Sequence, residues 1–260
     1  MVRNRLSKWL LSVAMAAGIG PSTLLVAQFG PLSSRSQAPQ ARTQKELDQY
    51  LKIITDASTQ AIVTDVDAFA VQFSGSELLG TAYQYQMHAY EQLGDFPAML
   101  SSGQLALKSQ PDNLNTLMAL APAIANRIFQ DPPDARMPAL AEDYAHRALE
   151  GIEKTKPPRQ TSLEQWAAQK QQMQSSAHEV LGLVALKRGQ TSIAISELQL
   201  SIQLSPPPDG SRYLRLALAF AAAGDARKAE ADLRHAAELG PDAVRQLAME
   251  EIAKLTKVKP

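Results

Sequence analysis

Apolar residues recur along most of the chain at spacings of three and four, a pattern that predicts amphipathic helices. Thr43-Gln44-Lys45-Glu46 reads as a capping box, so a helix starts near residue 44. Leu47, Tyr50, Leu51 and Ile54 then follow helical spacing. Ile62, Val66, Phe69 and Phe73 form a second stripe, ended by Ser74-Gly75-Ser76. Leu117, Leu120, Ala121 and Ile124 share one face of a later helix, which Pro122 is expected to kink. Ala141, Ala148 and Leu149 supply the helix after it. Thr161-Ser162-Leu163-Glu164 is another capping box, and from there to Arg188 only Gly182 interrupts, which predicts one long helix. Over 243–257, Val244, Leu247, Ala248, Ile252 and Leu255 line one side of a terminal helix.

The punctuation between these stripes is regular. Gly94 precedes Pro111, Gly189 precedes Pro206 and Gly224 precedes Pro241, each by 17 residues, and the last two pairs are offset by 35. A glycine that turns the chain after one helix, and a proline near the end of the next, define a helix–turn–helix unit of about 34 residues.

On these residues the chain resembles the tetratricopeptide repeat family. One unit, 175–208, carries Leu181-Gly182, Ala185, Ala194 and Pro206. The next, 210–243, carries Tyr213, Leu216-Ala217, Phe220, Ala229, Ala236 and Pro241. An earlier one, 80–113, has Tyr83, Tyr90, Ala106 and Pro111 but departs at Gln86-Met87, Met99 and Gly103. Residues 114–150 make a degenerate unit with about eight extra residues, Gln130 to Met137, in its turn, and 44–73 a divergent first pair. The resemblance implies an all-α fold over 42–258: a right-handed superhelical solenoid of antiparallel helix pairs with a C-terminal capping helix.

The first residues read differently. Arg3, Arg5 and Lys8 precede a nearly continuous apolar run from Trp9 to Ala17, and Leu24 to Ala27 resumes it. A basic start followed by a short apolar stretch is the pattern of a secretory signal, with a cut expected after Ala27. The alternative is an uncleaved anchor over 9–27, close to the roughly 20 residues that span a bilayer. Residues 28–41 are expected to be a flexible linker. Either way the body of the chain is expected outside the cytoplasm, periplasmic or secreted, or anchored in the membrane by 9–27 alone.

Chemistry adds little. Lys plus Arg and Asp plus Glu are 26 each, so the formal charge is +0, which argues against a general nucleic-acid binder. The chain has no Cys, which excludes disulfides and thiolate metal sites. Its four His, at 88, 146, 178 and 235, lie on different helices without a second His one turn away, so no metal is expected. No phosphate loop, nucleophile elbow or zinc-protease motif is present, and no catalytic residue or cofactor is expected.

The expected function is that of a non-catalytic interaction module, its partner a protein or peptide. By the resemblance, the first helices of successive units line a concave groove. The groove positions are Gln84, His88, Glu91 and Gln92; Asn115, Met118, Ala125 and Asn126; Glu179, Leu183, Leu186 and Lys187; and Leu214, Leu218, Ala221 and Ala222. Exposed leucines among them, at 183, 186, 214 and 218, would make a contact patch, unless the chain's own segments fold over them. The rivals are a helical enzyme or enzyme accessory subunit without a recognisable motif, and a small-ligand binder using Tyr85. Residues 42–125 hold four basic and nine acidic residues, against 18 and 17 over 126–260, so the earlier part favours a cationic partner surface.

Overall fold

The computed structural model describes residues 39–56, 58–130, 134–205 and 209–257. The segment expected to direct export, 1–27, and most of the linker lie outside them. Among the described residues there are eleven helices and no strand: α1 (Gln44–Thr55), α2 (Thr59–Gln72), α3 (Leu79–Leu93), α4 (Phe96–Ser109), α5 (Leu114–Ala125), α6 (Met137–Lys154), α7 (Leu163–Lys187), α8 (Thr191–Gln203), α9 (Gly210–Ala222), α10 (Ala226–Leu239) and α11 (Asp242–Lys257). None of them is long and apolar enough to cross a membrane.

The described residues fall into two compact units, 39–120 and 121–257. In the N-terminal unit α1 packs on α2, α2 on α3 and α3 on α4. In the C-terminal unit α6 packs on α7, and each helix from α7 to α11 packs on the next. The fold is therefore all-α, made of helix pairs that pack consecutively.

Side-chain caps start many of the helices. Thr43, Ser58, Asp95, Ser162, Asp209 and Asp225 each accept a bond from a first-turn N–H. The box expected at Thr161 is shifted by one residue, to Ser162 and Gln165. Near Thr43 the Glu46 carboxylate accepts from the Arg42 N–H at 2.6 Å.

The turns show the repeat at the level of single hydrogen bonds. Gly94, Gly189 and Gly224 have φ of 73°, 75° and 82°, a left-handed conformation that only glycine adopts without strain. After each, the next N–H reaches back five residues: Asp95 to the Tyr90 carbonyl at 3.0 Å, Gln190 to Ala185 at 2.9 Å, Asp225 to Phe220 at 2.9 Å.

Close helix approach follows from small residues. A Cβ on Gly182 would stand 2.6 Å from Leu198 on α8. Ala194 on α8 and Ala229 on α10 are 0% exposed. Ala194→Leu and Ala229→Leu are each expected to cost about 1–3 kcal/mol by overpacking. Thermal unfolding followed by circular dichroism checks this, and melting equal to the parent's would reject the packing assigned to these two positions.

Candidate functional site

In the N-terminal unit α3 offers two kinds of polar residue. Gln84 is buried. Its side-chain carbonyl accepts from the Asn113 amide at 3.3 Å, and Asn113 also donates to Gln110 at 2.8 Å. Gln110 donates to Thr81 at 3.4 Å, and Asn113 accepts from the Thr116 N–H at the start of α5. Gln84 thus ties α3 to the link between α4 and α5 and has no free surface for a partner. Gln86 is similar: it donates to Asp67 at 2.6 Å and accepts from Ser102 at 2.9 Å, joining α2, α3 and α4.

One turn further on, His88 is half-buried, with Nδ1 3.1 Å from the exposed Glu91 carboxylate. Gln92 is exposed and accepts from Thr59 at 3.0 Å. Asn115 and Met118 are half-buried. Tyr85 is exposed, and close enough to Tyr50 on α1 that its phenol helps to raise that of Tyr50. Burial is the larger cause, and the Tyr50 hydroxyl is pushed up to about 12.

The C-terminal unit departs from expectation. Leu183, Leu186, Leu214 and Leu218 are 5%, 7%, 1% and 3% exposed, so they form no surface patch. Two contacts from the unit's own first residues reach the same helices. Asn126 accepts from Arg215 of α9 at 3.1 Å, and the Lys187 ammonium of α7 lies 5.3 Å from the centre of the Phe129 ring. Ile124, Ala125, Ile128 and Phe129 are all buried. The apolar groove read from these leucines is corrected accordingly: they are core, covered by the chain itself. Ala221 is exposed and Ala222 half-buried at the end of α9.

The same region holds a cluster absent from the expected site. Glu179 on α7 pairs with Arg212 at 3.2 Å and with Arg215, both on α9. All three side chains are roughly a tenth exposed, at 11%, 9% and 10%. Arg212 also donates to Ser205 at 2.9 Å. Burial pushes the Arg215 guanidinium down to about 10, so it stays charged at neutral pH. Arg212 is also lowered by burial, with Asp209 acting against it. Of the sequence-expected residues, Asn126 and Glu179 are brought together, but inside the unit rather than on a groove. The signal for their partners was present. Arg212 and Arg215 are two cations one turn apart in a helix otherwise rich in Leu, Ala and Phe, where a buried charge needs a counter-charge.

Two of the remaining histidines make ordinary contacts: His178 lies 2.7 Å from Glu197, and the His235 ring 5.0 Å from that of Tyr213. Among the described residues, no group of three His, Asp or Glu is arranged to hold a metal ion.

No family model and no curated protein matches the chain. Solved structures do. The fold is similar to that of PilW, described as a widely conserved type IV pilus biogenesis factor, with a TM-score of 0.54 at 17% identity over 83% of this chain and 87% of that one. It is similar to a MamA RS-1 double mutant, with a TM-score of 0.55 at 14% identity over 76% of this chain and 96% of that one. A thermophilic TPR protein of Thermus thermophilus aligns over 83% of this chain and 99% of that one, at 16% identity and a TM-score of 0.44.

Proposed function

We propose, from a fold of the tetratricopeptide-repeat type, that this chain is a non-catalytic protein-interaction module of the cell envelope. It holds a peptide or partner helix against the first helices of its repeats. The observation that carries this reading is the recurring helix pair, with the same glycine turn at 94, 189 and 224. Stacked helix pairs present extended surfaces suited to partner segments. Among the groove residues that keep accessible surface, His88, Glu91, Asn115 and Met118 are the proposed contact row.

An envelope location is supported by the basic and then apolar segment from Arg3 to Ala27. It also agrees with the fold shared with PilW, a pilus biogenesis factor. An enzyme would call on Glu179, Arg212 and Arg215. These spend their charge on one another inside the C-terminal unit, and we assign them to holding it together.

The test is site-specific photocrosslinking of the full-length chain in its own cells. A benzophenone side chain in place of Glu91 or Met118 is expected to give adducts with another protein. The same probe at Leu163, 78% exposed on α7, is expected to give none. Absence of adducts from both contact positions rejects the reading.

A further inference from the structure

We draw no further inference here: the strongest candidate, the outward face of α8, where Ile193 and Leu200 are 51% and 36% exposed on a helix whose one charged residue, Glu197, is held by His178, is an unpartnered apolar face, and nothing in the structure shows what covers it.

Discussion

Glu179→Ala is expected to lower stability by about 3–5 kcal/mol, because it leaves the Arg215 guanidinium buried without a counter-charge and Arg212 with only Asp209, 3.9 Å away. Arg212 and Arg215 both turn to this one carboxylate, and all three side chains are nearly out of water. Arg215→Met should cost less. Glu179 then still has Arg212, and the thioether fills much of the vacated volume. Urea unfolding checks the order. At an m of about 2–3 kcal/mol/M, the Glu179 variant should lose about 1–2.5 M in midpoint. A larger loss for Arg215→Met than for Glu179→Ala would contradict this arrangement of charge.

The double change Leu183→Ser with Leu218→Ser is expected to unfold the C-terminal unit outright. Truncating a buried leucine costs about 2–5 kcal/mol, and each serine adds a hydroxyl with no evident partner at about 1–3 kcal/mol. Two such sites approach the whole stability of a domain, about 5–15 kcal/mol. Leu47→Ser with Leu51→Ser makes the same chemical change at exposed positions and should stay within about 1 kcal/mol. Helical signal and thermal cooperativity, measured on both variants side by side, give the comparison. A folded Leu183/Leu218 variant would mean that these side chains are not core.

The helices were legible because their punctuation is chemical. Gly94, Gly189 and Gly224 are needed for left-handed turns, and Thr43, Asp95 and Asp225 for first-turn bonds, so sequence alone marks where helices stop and start. The roll of a helix about its own axis was less legible. In α1 the apolar period Leu47–Tyr50–Leu51–Ile54 is only partly used: Tyr50 packs on Phe69 and Ile53 is buried beside it, while Leu47, Leu51 and Ile54 stay partly exposed. In α7 and α9 the positions inferred as outward for Leu183 and Leu218 are buried. The contacts of Asn126 and Phe129 with α9 and α7 depend on residues far away in sequence, which no local pattern encodes. Arg212 and Arg215 carried a visible signal, charge in an apolar helix, but not the identity of their partner on α7.

The bond from Arg215 to Asn126 spans 89 positions and skips an entire repeat. Repeat arrays ordinarily grow and shrink by whole units, since each touches only its neighbours. Here the stretch from 126 to 215 is closed by its own ends. Copying residues 175–208 in tandem would move Arg215 a repeat away from Asn126 and leave one of the two Glu179 copies facing no guanidinium. Deleting them would remove Glu179 and leave the buried Arg215 without its carboxylate. Gene duplication and repeat-swapping design therefore meet a constraint behind residue 121: adding or removing this unit separates Asn126 and Glu179 from the arginines they bind.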